Sequence, residues 1–135
     1  MPSNDPAAVV RTMAVAIDRH DLAALAAHPG LYELVEHIPT LLAAFPDLMH
    51  TIEQQTVDGD VVATRAVMRG THRGPLMGVA PTGKRIEALV LMMDRVVDDQ
   101  IVLHYALPDW MAILGPIGAL PAFGPSRAAV AEGPA

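Results

Sequence analysis

The sequence predicts an α+β domain in which helices cover one face of an antiparallel sheet. Two observations lead to this prediction. Apolar residues recur at helical spacing before residue 47, and the period then changes to that of strands in four successive runs. The chain has 135 residues, the length of one domain. We therefore expect a single domain over residues 1–123 and a disordered tail over 124–135, rich in Gly, Pro and Ala.

The first helix is predicted to begin at Asn4 or Asp5, either of which can cap it, with Pro6 in its first turn. It ends near residues 20–21. Its apolar stripe consists of Val9, Met13, Ala16 and Ile17.

Two further helical segments are predicted before the strands. A short one covers residues 22–27, after which Pro29-Gly30 breaks the chain. A second apolar stripe covers residues 31–42, and Pro39 inside it must kink the helix or restart it.

The four strands are predicted at residues 49–57, 61–72, 85–97 and 100–107. Asp58-Gly59 is a strong hairpin signal between the first two strands, and Asp98-Asp99 joins the last two. A loop rich in glycine and proline over 74–83 connects the middle pair. Asp109 is suited to cap a short helix that ends near Leu114.

The composition excludes several classes of partner and site. The formal charge of −6 includes no basic block, which argues against a nucleic-acid partner. Without cysteine the chain has no disulfide, thiol nucleophile or Cys-type zinc site. The histidines show no His-x-x-x-His or similar ligand spacing, so no metal is expected.

Apolar residues make up 52% of the chain and charged residues 18%, so a large apolar surface has to be buried. No apolar run reaches the roughly 18 residues that a membrane span needs. A hydrophobic pocket and a subunit interface are therefore the expected destinations. The N-terminus lacks a signal-peptide pattern, and a cytoplasmic location follows by default.

A series of short motifs occurs between residues 45 and 121. They are Phe45-Pro46-Asp47, Asp58-Gly59-Asp60, Gly70-Thr71-His72-Arg73-Gly74, Pro81-Thr82-Gly83-Lys84 and Gly118-Ala119-Leu120-Pro121. In this order they resemble the SnoaL-like polyketide cyclases, a branch of the NTF2-like fold. The resemblance implies a cone in which a curved antiparallel sheet and N-terminal helices enclose one hydrophobic pocket. It also implies a homodimer paired through the outer sheet face, and a hydrophobic polyketide-like ligand bound with neither metal nor organic cofactor.

The sequence departs from the resembled family at two positions. The aldol-type cyclases carry an acid/base aspartate on the last strand and a histidine partner on the strand before it. The matching residues here are Ala106 and Met92, and neither can take a proton alpha to a carbonyl. This departure favours ring closure controlled by pocket shape.

Asp94 is the leading catalytic candidate, because a carboxylate is unexpected in a strand as apolar as residues 89–93. Alternation places it on the face of Val90 and Met92. If residues 97–99 form a three-residue loop, that face also holds His104, whereas a two-residue loop would turn His104 away.

On the favoured register, Asp94 orients His104 as an acid/base pair inside the pocket. Two plainer interpretations stay open. Asp94 could instead form a salt bridge with an arginine near the rim, and His104 could be a core histidine satisfied by backbone groups.

The other candidates are expected to bind substrate. They are Tyr32, Met49, Val90, Met92, Ala106 and Trp110. Tyr32 is preferred to His28 and His37 because it combines an apolar body with a polar tip. His72 is expected to hold its loop by hydrogen bonds, and Arg65 and Arg95 to pair with acidic residues.

The sequence supports three hypotheses about function. The first is a cofactor-independent cyclase or isomerase that acts on a hydrophobic polyketide-type intermediate. The second is a non-catalytic binding protein for a lipophilic small molecule. The third is an epoxide hydrolase or dehydratase of the same fold, which would need an Asp-Arg-Asp set around a water.

Overall fold

The computed structural model describes residues 5–120. The predicted domain end at residue 123 and the tail over 124–135 lie outside this range. The helices are α1 (Pro6–Asp18), α2 (Leu22–Ala26), α3 (Tyr32–Ala44) and α4 (Trp110–Leu114), and the strands are β1 (Met49–Asp58), β2 (Val61–Thr71), β3 (Arg85–Val97) and β4 (Gln100–Pro108). The predicted α+β class is confirmed. No helix in the described range is long and apolar enough to cross a membrane.

Helix α1 is capped by Asp5, whose side chain accepts a hydrogen bond from the Ala8 N–H at 3.1 Å. The helix ends at Asp18, before the predicted residues 20–21, because His20 has a left-handed backbone with φ of 58°. Asp21 then caps α2 by accepting from the Ala24 N–H at 3.1 Å.

Helix α3 runs through Pro39 as one helix, so the restart that the sequence allowed does not occur. A 3₁₀ turn, Pro29–Leu31, precedes it. Proline removes one helical hydrogen bond, and α3 persists because tertiary packing of an apolar face stabilises a helix more than propensity does. That face buries Ile38 and Leu42.

The four strands form an antiparallel meander in the order β1-β2-β3-β4. Strand β3 alternates strictly between buried and exposed residues, so its inner face meets the helices and its outer face meets solvent. The core between sheet and helices includes Val10, Met13, Phe45, Met68, Ile86 and Ile101.

The turn between β3 and β4 has two residues, Asp98 and Asp99, both with positive φ, and Val97 pairs with Gln100. The predicted three-residue loop is therefore wrong. A two-residue turn would point His104 outward in a regular ladder.

A β-bulge at Val102 restores the predicted pairing. Val96 pairs with Ile101 and Arg95 pairs with Leu103, which leaves Val102 as one extra residue on β4. Asp94 consequently lies directly opposite His104. The pairing is confirmed, but the extra residue lies within the strand and not in the turn.

The family-like motifs meet at the end of the sheet where β2 finishes. Asp47 accepts hydrogen bonds from the backbone N–H and the hydroxyl of Thr71, both at 2.7 Å. A side chain at Gly74 is excluded, because its Cβ would lie 2.1 Å from the Ala43 carbonyl oxygen. His72 holds the following loop, since its Nδ1 accepts the Thr82 N–H at 3.2 Å. The structural role predicted for His72 is confirmed.

Candidate functional site

A cavity of about 510 Å³ lies between α3 and β4. Helix α3 contributes Leu34, Ile38 and Leu41 to its apolar wall. The residues at its mouth, Tyr32, Glu33 and His37, are exposed and polar. The volume lies within the usual range for small-molecule sites. The cavity can therefore hold an apolar ligand with polar groups at one end.

Gly30 sets how closely the 3₁₀ turn approaches β4. A Cβ at this position would lie 2.5 Å from the backbone carbon of Val102, closer than any real contact of that kind. The turn therefore rests directly on the bulge. The Pro29-Gly30 pair, expected only to break the chain, shapes this side of the cavity.

Asp94 and His104 form a buried pair at the cavity wall. The Asp94 Oδ1 and His104 Nδ1 atoms are 2.5 Å apart, and the two side chains are 0% and 8% exposed. His104 lines the cavity, and no residue between 5 and 120 hydrogen-bonds its Nε2. Asp94 lies behind it, paired across the sheet with Val62 and His104.

This arrangement gives His104 a defined protonation pattern. An ionised carboxylate only accepts hydrogen bonds, so Asp94 fixes the proton of neutral His104 on Nδ1. The lone pair on Nε2 is then available in the cavity as a base. No arginine pairs with Asp94 in the described range. Arg65 and Arg95 instead bind Glu53 and Asp60 at 3.8 and 3.5 Å.

His28 lies near the same carboxylate. Its Nδ1 accepts the N–H of Ile101 at 3.0 Å, one residue before the bulge. Burial lowers the pKa of His28 below its ordinary value, and the negative charge of Asp94 opposes this by raising it.

The outer sheet face carries an apolar groove of about 380 Å³. Leu91, Met93 and Leu107 line it and are largely exposed. Tyr105 borders both this groove and the cavity. The outer face is therefore an exposed apolar patch of the kind that marks an interface.

Comparison with known families identifies the fold. The model of the SnoaL-like polyketide cyclases matches residues 2–116. The chain belongs to this family. A search of curated proteins found no significant match.

Solved structures agree with this family. AclR of Streptomyces galilaeus, a proposed hydroxylase, is 29% identical with a TM-score of 0.79, covering 87% of this chain and 98% of its own. IdmH of Streptomyces antibioticus, a proposed polyketide cyclase, is 30% identical with a TM-score of 0.75, covering 85% and 99%. TsrD of Streptomyces laurentii shares the fold at 19% identity, with a TM-score of 0.76 over 89% of this chain and all of its own.

The structure brings some of the predicted substrate-binding residues of this SnoaL-like protein to the cavity. Tyr32, Ala106 and Trp110 line it. Val90 and Met92 are buried in the sheet behind it, and Met49 is exposed at the start of β1, so these three do not line the cavity.

Sequence reasoning missed part of the lining. Leu34 and Leu41 belong to the apolar stripe of α3, whose spacing is equally compatible with a protein core and with a cavity wall. Leu103 lies opposite Arg95 on the outer face and also borders the cavity. No Lys or Arg lines the cavity, and the described residues hold no group of three or more potential metal ligands.

Proposed function

We propose that this SnoaL-like protein is a cofactor-independent cyclase or isomerase that acts on a hydrophobic polyketide-type intermediate. The observation that carries the proposal is the Asp94–His104 pair at the wall of a mostly apolar cavity. His104 is the proton acceptor and donor, and Asp94 positions it. No Lys or Arg of the described residues lines the cavity, which suits a neutral ligand, because none of these lining residues would balance a carboxylate or a phosphate.

The pair stands next to the acid/base positions that the family resemblance implies. Those positions, Met92 and Ala106, are themselves cross-strand partners, and Asp94–His104 is the next pair on the same face. Two residues along a strand span about 7 Å. A base displaced by that distance reaches a different carbon of a similarly bound skeleton, and Ala106 leaves room for the skeleton itself.

The reaction begins when His104 Nε2 takes a proton from a carbon alpha to a carbonyl, leaving an enolate. In a cyclisation, the enolate electron pair forms a bond to a second carbonyl carbon, and the oxyanion produced there recovers the proton from His104. In an isomerisation, the proton returns to another carbon of the same enolate. The apolar walls hold the folded conformer, and such positioning is worth about 7–11 kcal/mol in favourable cases.

The test uses β-tetralone as a surrogate for the polyketide, because its α-protons are flanked by a carbonyl and an aromatic ring. We expect the protein to accelerate α-proton exchange in D2O, followed by NMR, and His104→Gln to reduce this rate by roughly 10²–10⁴-fold. Glu36→Gln, at an exposed position of α3 outside the cavity lining, is the control and should retain the rate. Equal rates for wild type and His104→Gln would exclude His104 as the base.

The similar solved structures do not identify one reaction, since IdmH is a proposed cyclase and AclR a proposed hydroxylase. Saturable binding of β-tetralone without exchange would favour the alternative of a binding protein for a lipophilic molecule. The epoxide hydrolase alternative is less well supported, because Asp94 pairs with His104 and no arginine of residues 5–120 lines the cavity.

The proposed assembly is a homodimer paired through the outer face. Its support is the exposed apolar groove on that face, where Leu91, Met93 and Leu107 would otherwise contact water.

A further inference from the structure

The mouth of the cavity between α3 and β4 holds most of the aromatic residues of this chain. The sequence contains two Phe, two Tyr and one Trp. Both tyrosines and the tryptophan line this cavity as Tyr32, Tyr105 and Trp110, and they are 70%, 62% and 40% exposed. Burial in the core therefore does not explain their presence, as it does for the fully buried Phe45. Large exposed aromatic side chains around one cavity are typical of a ligand-binding rim.

Glu33 is the charged residue of the same rim. It is exposed, and no other Asp, Glu, Lys or Arg between residues 5 and 120 lines the cavity. The Tyr32 hydroxyl donates a hydrogen bond to Glu33 Oε1 at 3.3 Å, which holds the carboxylate beside an aromatic side chain. None of the described Lys, Arg or His side chains forms an ion pair with Glu33. The rim thus carries a negative charge that no ion pair within residues 5–120 offsets.

The position of Glu33 in the first turn of α3 has a simpler explanation, which covers only part of these observations. A negative charge at this end of a helix is stabilised by the helix dipole. That effect does not depend on which residues surround the carboxylate, so it gives no reason for the three aromatic residues. A carboxylate among aromatic side chains is suited to bind an alkylammonium group, because the carboxylate balances the charge and the rings attract the cation.

We propose that this rim is a subsite for a protonated amine, and that the ligand of the cavity carries one. The neutral skeleton of the ligand fills the cavity, and its amine stays at the mouth. There it lies between Glu33 and the side chains of Tyr32 and Trp110, with Tyr105 at the edge toward the outer groove. An amine at the mouth keeps part of its hydration, which avoids the cost of burying a charge.

Capture of the amine decides which end of the skeleton reaches His104, since Glu33 and His104 line the same cavity. The inference rests on the proposed function only in stating that this ligand is a substrate. A protein that binds the ligand without transforming it would use the same subsite.

The test compares three probes that share a naphthalene ring and differ in one substituent. At pH 7, 1-naphthalenemethylamine is cationic, 1-naphthalenemethanol is neutral and 1-naphthoate is anionic. Binding is followed by NMR at the indole N–H of Trp110, the single tryptophan of the chain, which lines the cavity and not the outer groove. We expect the amine to bind roughly five- to tenfold more tightly than the alcohol, and the carboxylate to bind most weakly. An amine that binds no more tightly than the alcohol would overturn the proposal.

Glu33→Gln tests the balancing charge. We expect the ratio of amine affinity to alcohol affinity to fall to about two, the part that the aromatic side chains retain. Glu36→Gln removes the same charge from an exposed position of α3 outside the lining, and should keep the wild-type ratio. A wild-type ratio in Glu33→Gln would overturn the proposal.

Two substitutions of Tyr32 test the aromatic part of the subsite. Tyr32→Phe keeps the ring and removes the hydroxyl that holds Glu33, whereas Tyr32→Leu removes both. We expect the ratio of amine affinity to alcohol affinity to be lower in Tyr32→Leu than in Tyr32→Phe, because only the ring attracts the cation. Equal ratios in the two variants would overturn the role given to the aromatic rim.

These binding measurements and the β-tetralone exchange fail separately. If the wild type prefers the amine but does not accelerate exchange, the proposed function fails and the amine subsite stands. If the wild type accelerates exchange but shows no preference for the amine, the proposed function stands and the subsite fails.

Discussion

Asp94 is a fully buried carboxylate in an otherwise apolar stretch of β3. Burying a charge is costly unless it is paired and hydrogen-bonded, and removing one partner of a buried pair destabilises the fold mainly when it leaves an uncompensated charge. His104 supplies the pairing at 2.5 Å. Burial of the Asp94 carboxylate therefore costs folding free energy. Either a fully hydrogen-bonded network offsets this cost, or a role in the site explains why the residue is there.

Asp94→Asn tests which of these roles applies. The amide keeps the shape of the carboxylate but cannot fix the His104 proton on Nδ1 as an anion does. We expect the melting temperature to change little and the β-tetralone exchange rate to fall roughly 10²-fold. Rate and melting temperature should be measured on the same samples. Full activity with normal stability would remove the pair from the mechanism, and a loss of stability alone would make Asp94 structural.

The sequence could predict that Asp94 faces inward, because period-2 alternation and an out-of-place carboxylate are both local signals, whereas the position of His104 opposite it depends on the bulge. The sequence could not predict the contact of His28 with β4. The partner of His28 is a backbone N–H 73 residues away, and backbone donors leave no mark in the pattern of side chains.

At the level of elements, the 3₁₀ turn packs against β4 at Gly30, where the absence of a side chain lets the two main chains come into contact. Gly30→Ala forces a Cβ against Val102 and Leu103, where the three nearest atoms are all main chain and cannot rotate away. We expect a loss of about 1–3 kcal/mol in the free energy of unfolding, measured by urea denaturation. Gly59→Ala is a useful contrast, since nothing lies within 4 Å of its added Cβ and only its positive φ is strained. A Gly30→Ala protein as stable as wild type would show that the turn is free to move.

The joint between α3 and the end of β2 depends on Asp47. Burial alone would raise the pKa of Asp47, but hydrogen bonds from the Thr71 N–H and hydroxyl and the nearby charge of Arg73 lower it below its ordinary value. Because the folded pKa is depressed, the stabilisation is complete above the unfolded pKa of about 3.9 and is lost as pH falls through the folded value.

Asp47→Ala should therefore lower the melting temperature at neutral pH, by an amount limited because the side chain is exposed to solvent. The gap between variant and wild type should close as the pH is lowered past the folded pKa of Asp47. Thermal melts from pH 7 to about pH 2 measure this. A gap that stays constant across the whole range would show that the Thr71 contacts contribute through shape and not through charge.

The positions of the helices and strands could largely be predicted, because capping and turn residues can be recognised in the local sequence. The helix capped by Asp109 is one example, with the Asp109 side chain accepting from the Ala112 N–H at 3.2 Å. The bulge at Val102 was not predictable. Nothing in the alternation of residues 100–107 distinguishes a bulged strand from a regular one.

At the scale of the whole molecule, the apolar groove on the outer face predicts assembly into a dimer. Leu91, Met93 and Leu107 are 49%, 53% and 74% exposed around one groove. We expect sedimentation at micromolar concentration to give twice the mass of the 14.3 kDa chain. Met93→Glu should shift the protein toward monomer by placing charge in the interface, with Glu36→Gln on α3 as a control away from the outer face. A monomeric wild type would contradict the proposed assembly.

The fold as a whole could be anticipated because the recognisable motifs are the ones that join its parts. Asp47 with Thr71 and His72 with Thr82 are contacts between motifs, so their presence in order implies the connections. The cavity could be anticipated only in outline. Whether an apolar residue of α3 faces core or cavity depends on the distance between α3 and β4, which no local pattern encodes.

The bulge has a consequence for how this protein tolerates changes in chain length. Deleting Val102 would remove the bulge and its extra residue together, and Asp94 would still face His104. Keeping Val102 in a regular ladder would place Leu103 opposite Asp94 and turn His104 outward. The position of the bulge therefore decides which residues of β4 face inward. The number of residues counted from the turn does not decide it. An insertion or deletion in β4 can leave the Asp94–His104 pair intact. A shift of the bulge to another position can break this pair although the amino-acid sequence is unchanged.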